Sequence, residues 1–447
     1  MVLKSNKLNK LINKFKENEI LSKGSSAFIF KIIGSLLGYV FLLLVTRTSG
    51  AEAWGVFALS LAIIHIASVV SRFGIDIFLI RYISEYFPNY ANIRKVFRKG
   101  MLLVAFFSII VSITIYFSSE FIALSFFRKD SLITVIKISS LVIVPFSLSV
   151  IIAQSFRGIK EIKHFIFFLQ PARYLFAIVI LVILNYFQFI DKKIIPILSF
   201  SISLLFVLLT GWVIFNKKVS RQGNLSQIVS FREIIKRSSP MMLSATIVLL
   251  ISWIDTIMIG IYKTEIDVGI YNVAVRVSSL VSFGFIAISS ISAPKFSETY
   301  NHGNLEGFKN NVHESSRLIF ISGLIIILLL VIFNGTILSF FGSEFILGKN
   351  ALLILLIGQA SHVFSGNVAN ILQMTGNEIA YRNILFIALL FNILLNISLI
   401  PIFDIVGAAI ASTISIILWN IMSVLYIRRK FGFWTFQKNL SLTQINT

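Results

Sequence analysis

The stretch Ser25–Thr46, SSAFIFKIIGSLLGYVFLLLVT, contains a single charge, Lys31. A helix of that length, at about 1.5 Å per residue, crosses a hydrocarbon layer about 30 Å thick. Lipid offers nothing to unpaired backbone groups, so only helices or closed barrels cross it. A barrel would show alternating strands of about ten residues rather than a continuous apolar run. Eleven similar runs follow, each bounded by charges: 55–80, 100–118, 132–155, 165–187, 194–215, 239–262, 268–292, 317–340, 351–374, 383–402 and 407–427. The sequence therefore predicts an all-α polytopic membrane protein with about twelve transmembrane helices.

Composition excludes most alternatives. Of 447 residues 57% are hydrophobic and 13% charged, the latter about half the usual soluble share of about 25%. A soluble core could not hide so much apolar sequence. Cysteine is absent, which removes disulfides, thiolate metal sites and cysteine nucleophiles. HExxH and G-x-S-x-G do not occur, and the five histidines lack ligand spacing. GSEFILGKN at Gly342 has neither the spacing of a phosphate-binding loop nor the hydroxyl residue after its lysine. The expectation is a protein without catalytic residues, metal or cofactor. The basic N-terminus leads into a full-length apolar run with no small-residue cleavage signal, so no removable signal peptide is expected.

The net charge of +21 would point to nucleic acid on a soluble protein. Here its distribution points to topology. With the N-terminus placed in the cytoplasm, inside segments, counting Arg317 at the edge of its run, hold 28 of the 40 basic residues and outside loops hold 7. This is the positive-inside pattern, and it predicts cytoplasmic N- and C-termini and charge lying along an anionic leaflet. Residues 1–24 carry Leu8, Leu11, Ile12 and Phe15 at helical spacing among lysines. They read either as an interfacial amphipathic helix or as a basic tail.

The chain reads as two related halves. WGVFALSLA from Trp54 matches VGIYNVAVR from Val268, and ISEYF (83–87) matches FSETY (296–300). Gln154–Gly158 and Gln373–Gly376 end the fourth and tenth runs. A duplicated six-helix unit follows, parallel because its helix number is even. The expected organisation is a basic N-terminal segment 1–24, a six-helix bundle 25–215, a cytoplasmic linker 216–238, a second bundle 239–427 and a tail 428–447.

Apart from Arg317 at the edge of its run, seven ionisable residues fall inside the runs: Lys31, Arg72, Asp76, Lys137, Arg173, Asp255 and Arg276. Each costs about 2.5–3.5 kcal/mol or more at the bilayer centre, so each needs a cavity or a partner. Long stems near helix ends can instead snorkel, a reading that applies chiefly to Lys31 and Lys137. Asp76, four residues after Arg72, is placed to pair with it on one helix face. Asp255 and Arg276 lie at matching depth and are candidates for a second pair. Five bases against two acids make a cationic interior suited to an anionic substrate.

SWIDTIMIG (252–260), VGIYNVAVRV (268–277), LQMTGN (372–377) and GSLLGYVFLLLVTR (34–47) together resemble the Wzx-type flippases of lipid-linked oligosaccharides. These belong to the multidrug/oligosaccharidyl-lipid/polysaccharide exporter superfamily. The resemblance implies two six-helix bundles around a central cavity. It implies movement of undecaprenyl-pyrophosphate-linked O-antigen or capsule units from the cytoplasmic to the outer leaflet of a bacterial inner membrane. Partners implied with it are membrane lipids, a polysaccharide polymerase and a chain-length regulator; nucleic acid is not among them. The family's cationic lumen maps onto Arg72, Arg173, Arg276 and Lys31, with Asp76 and Asp255 as ion-pair or coupling groups. Two rivals remain open. A multidrug exporter of the same superfamily should carry an excess of acids instead. An O-antigen polymerase or ligase would need a larger outside loop than any here, none of which exceeds about 14 residues.

Overall fold

The computed structural model describes residues 19–187, 191–219 and 229–436. The expected amphipathic segment at Leu8, Leu11, Ile12 and Phe15 lies outside them, as do residues 220–228 of the linker and 437–447 of the tail. Among the described residues there are helices and turns but no strands. Within the described residues nine helices are long and apolar enough to cross a membrane, and Thr246–Tyr262 is a shorter apolar helix. Two of the nine hold two crossings each, interrupted at Gly50 (φ 81°) and at Asp404 (φ 53°), which brings the count to twelve.

In chain order these are α1 (19–49), α2 (51–72), α3 (Tyr90–Phe117), α4 (Leu132–Gly158), α5 (Ile162–Phe187) and α6 (Ile195–Lys218). The second set is α7 (Phe231–Tyr262), α8 (Glu265–Asn301), α9 (Leu305–Ile332), α10 (Lys349–Ser365), α11 (378–403) and α12 (405–431). Helices α3 and α9 start earlier than their apolar runs, because the polar residues ahead of each run continue the same helix. Both are 28 residues long, and each is capped by an asparagine side chain, Asn89 on Asn92 N and Asn304 on Gly307 N. Such a cap satisfies one of the orphan N–H groups of a first turn. The two caps occupy matching places in the duplicated pattern.

The second apolar run is not one helix. Phe73 and Gly74 both take left-handed backbone, φ 51° and 73°, so α2 ends at Arg72 and a short helix Ile75–Tyr86 follows. Helix α5 is interrupted at Gln170, ahead of Pro171, where proline disfavours helical backbone in the residue before it. A 3₁₀ turn at Ser279–Val281 divides α8.

The chain divides into two compact units, residues up to 246 and from 247, the boundary falling inside α7. In the first unit α4 is the central element, with 72% of its apolar window buried. Gly34 and Gly38 let α1 approach α5 closely: a Cβ at Gly34 would lie 2.9 Å from the Pro171 ring, and one at Gly38 3.3 Å from Tyr174. Small residues used this way bring helices together in membranes. At the end of α4, a Cβ on Gly158 would sit 2.7 Å from Ile83 Cβ. Gly158→Val should therefore destabilise the protein by about 1–3 kcal/mol through overpacking. Thermal unfolding in detergent checks this, and an unchanged midpoint would contradict the packing described. In the second unit Phe296, Phe308, Ile371, Leu372 and Ile427 form a fully buried cluster. Residues 431–436 fold back onto it, with His313 Nε2 2.9 Å from the Trp434 carbonyl oxygen.

Candidate functional site

Arg173, just after the break at Gln170 in α5, is 6% exposed, so its charge is held inside the first unit. Its Nη2 donates to Ser149 Oγ of α4 at 3.2 Å, and its guanidinium lies 4.6 Å from the Phe146 ring centroid. Its Nε is buried and donates to nothing. A cavity of about 230 Å³ opens beside it, lined also by His65, Gln170, Tyr174 and Phe200. At about 30 Å³ per water, the space holds a small polar group with a few waters but not an oligosaccharide. Among the described residues no carboxylate lines it. Arg72 lies near enough for the two like charges to act on each other.

Arg72 does pair with Asp76, at 3.6 Å from Nε to Oδ2. The geometry differs from the expected helix-face pair, because the left-handed turn at Phe73–Gly74 stands between the two residues. The Arg72 Nε still makes no hydrogen bond. Lys31 is exposed on α1, one turn before Gly34, while Lys137 lies 5.8 Å from the Tyr116 ring centroid. Of the expected cationic cluster, Arg72 and Arg173 lie within electrostatic range of each other, and Lys31 lies on the helix surface.

In the second unit the expected pairing of Asp255 with Arg276 is not formed. Asp255 Oδ1 accepts from Asn392 Nδ2 at 3.1 Å and Asn396 Nδ2 at 2.7 Å, both on α11. Its Oδ2 accepts from the Tyr271 hydroxyl of α8 at 3.1 Å and from Ser412 Oγ of α12. Four neutral donors from three helices thus occupy both oxygens of the carboxylate. Arg276 instead donates from Nε to Asn272 Oδ1, one turn earlier on α8, at 3.2 Å. Asn396 Oδ1 is buried and accepts no hydrogen bond, which leaves one open oxygen beside the carboxylate.

Tyr271, Asn392, Asn396 and Ser412 escaped the sequence reading, which looked only for charges. Asn392 and Asn396 carried a usable signal: two amides one helical turn apart in an otherwise apolar run, and so on one face.

Comparison with known proteins places the chain in a family. The sequence profile described as polysaccharide biosynthesis protein matches residues 20–300, well over half of the chain. The chain belongs to the polysaccharide biosynthesis protein family. A second profile, MatE, matches residues 240–398. A probable low-salt glycan biosynthesis flippase, Agl15, from Haloferax volcanii is 31% identical over 39% of this chain and 38% of its own length. The match thus spans less than two-fifths of that relative. The lipid II flippase MurJ in an inward closed conformation superposes with a TM-score of 0.72, at 14% identity, over 91% of this chain and 87% of its own. An inward-facing multidrug resistance MATE transporter superposes at 0.66, also at 14% identity, over 91% and 94%. At such identities the likeness is one of fold. As a member of the polysaccharide biosynthesis family, the chain has flippases and transporters, not enzymes, among these relatives.

Proposed function

We propose that the chain is a flippase for lipid-linked oligosaccharides, moving a diphosphate-linked glycan from the cytoplasmic to the outer leaflet. The observation that carries this reading is Arg173, a buried arginine with an unsatisfied Nε beside a cavity that no carboxylate among the described residues lines. A diphosphate must cross an apolar layer about 30 Å thick. Its uncompensated desolvation is far too costly. Arginine keeps its charge and matches phosphate with a planar fork. Arg72, Arg173 and Arg276 are the proposed phosphate contacts, and the exposed Lys31 is assigned an accessory role. Asp255, with its neutral donors and the open oxygen of Asn396, is proposed as the coupling group, taking a proton or a monovalent cation. Asp76 is assigned to holding Arg72.

The finer reading is an undecaprenyl-pyrophosphate carrier with an O-antigen or capsule unit in a bacterial inner membrane, working beside a polymerase and a chain-length regulator. It rests on the sequence resemblance and the twelve crossings. The domain limits 25–215 and 239–427, joined by a cytoplasmic 216–238 linker, belong to the same proposal. A multidrug exporter is the second reading; the MatE match over 240–398 and the acid at Asp255 favour it, and the cation at Arg173 opposes it.

A deletion strain is expected to accumulate lipid-linked units on the cytoplasmic face, and normal surface glycan in that strain would contradict the proposal. Topology has its own test. Reporter fusions at Lys192, Lys263 and Lys349 should read as outside, and fusions at Arg221 and Lys309 as inside. One reversed position would break the proposed orientation.

A further inference from the structure

A second kind of site lies in the unit from 247 onward. Ala360 and Phe364 of α10, Ile421 and Leu425 of α12, and Trp434 and Phe436 beyond α12 line a groove of about 500 Å³. Phe364, Ile421 and Leu425 are 56%, 50% and 44% exposed, so the groove opens outward rather than lying sealed in the core. Its aromatic end is fixed: Phe364 packs edge-on to Phe320 at 5.2 Å and meets Phe436 at 5.9 Å. The same end is basic. Arg428 stacks 4.0 Å from the Trp434 ring centroid. The last turn of α12 is Arg428, Arg429 and Lys430, all exposed, with Lys430 bonded to Asn377 Oδ1. Arg317 of α9, also exposed, lies one turn beyond His313, whose Nε2 meets the Trp434 carbonyl. The nearby acid, Glu314, lines a separate cleft with Lys295.

An apolar trough with a cationic, tryptophan-bearing rim matches an amphiphile with one anionic head and an apolar chain. We infer that this groove binds an anionic diacyl phospholipid, with one acyl chain along Phe364, Ile421 and Leu425 and the phosphate at Arg428 and Arg317. Basic residues at the cytoplasmic end of a crossing attract anionic lipid in this way. A second copy of the chain would bring one basic rim against another. Residues 437–447 carry one lysine and no acid, so they do not complement the rim either.

The test is native mass spectrometry of the full chain from mixed micelles, with phosphatidylglycerol as probe, phosphatidylcholine as control and a polyprenyl monophosphate as competitor. The wild type should retain one phosphatidylglycerol, preferred roughly tenfold over phosphatidylcholine. Ala360→Trp, which fills the trough, should remove that retention. Arg317→Gln combined with Arg428→Gln should remove the headgroup preference while leaving the melting temperature in phosphatidylcholine micelles unchanged. The surface position of both arginines keeps this second variant informative if the tryptophan variant fails to fold. Equal retention of the two lipids by the wild type would overturn the inference. So would undiminished preference in the double variant, or displacement of phosphatidylglycerol by an equimolar polyprenyl phosphate, which would make this a carrier site.

Discussion

Asp255→Asn should reduce transport by roughly tenfold or more, since hydrogen bonds to a charged acceptor are worth about 1.5–3 kcal/mol each. The substitution preserves the shape of the side chain but removes its charge and turns one acceptor into a donor. That donor then faces groups that are themselves donating: Asn392 and Asn396 on one oxygen, Tyr271 and Ser412 on the other. Helices α7, α8, α11 and α12 lose one of the two acceptor oxygens that join them, and the proposed coupling group loses its charge. Asp255→Ala is the harsher change, because it removes both acceptor oxygens and strands the Asn392 amide at about 1–3 kcal/mol, while Asn396 keeps its bonds to Asn392 and Tyr271 its contact with Ser412. It should lower membrane abundance as well as activity. Asp255→Asn at normal abundance with full complementation of surface glycan would remove Asp255 from any coupling role.

The crossings were legible because hydropathy and length alone decide them. The run 100–118 became α3 and 407–427 became α12, extended at their ends by polar residues that hydropathy cannot see. The break at Phe73–Gly74 was not legible. Glycine inside an apolar run is common in membrane helices, and nothing in the sequence marks Phe73 as left-handed. The Arg72–Asp76 pair was foreseen from four-residue spacing, yet it forms across that turn. The Asp255–Arg276 pairing failed for a physical reason. Matching depth fixes only the height of two groups, whereas their rotation about the helix axes decides contact, and the carboxylate found enough neutral donors on α8, α11 and α12.

Arg173→Ala carries the second large effect. It removes the buried cation and the Ser149 bond together, and leaves a space against Phe146 where the guanidinium lay. Transport is expected to fall by roughly tenfold to a hundredfold, the scale of a lost charge-assisted bond of about 1.5–3 kcal/mol. Arg173→Lys should recover part of the activity, since it restores the charge without the planar fork. Arg276→Ala and Arg276→Lys should follow the same order. Activity in Arg173→Lys no better than in the alanine variant, at equal abundance, would show that packing on Phe146 rather than charge matters at this position.

The central claim is that Arg72, Arg173 and Arg276 carry a lipid-linked diphosphate across the membrane. Its most direct test is the transbilayer movement of a polyprenyl-diphosphate-linked glycan in proteoliposomes, with wild type and the combined Arg72→Ala, Arg173→Ala, Arg276→Ala variant incorporated in equal amounts. The account predicts rapid movement with the wild type and a rate near that of protein-free vesicles with the variant. Equal rates for the two proteins would contradict it.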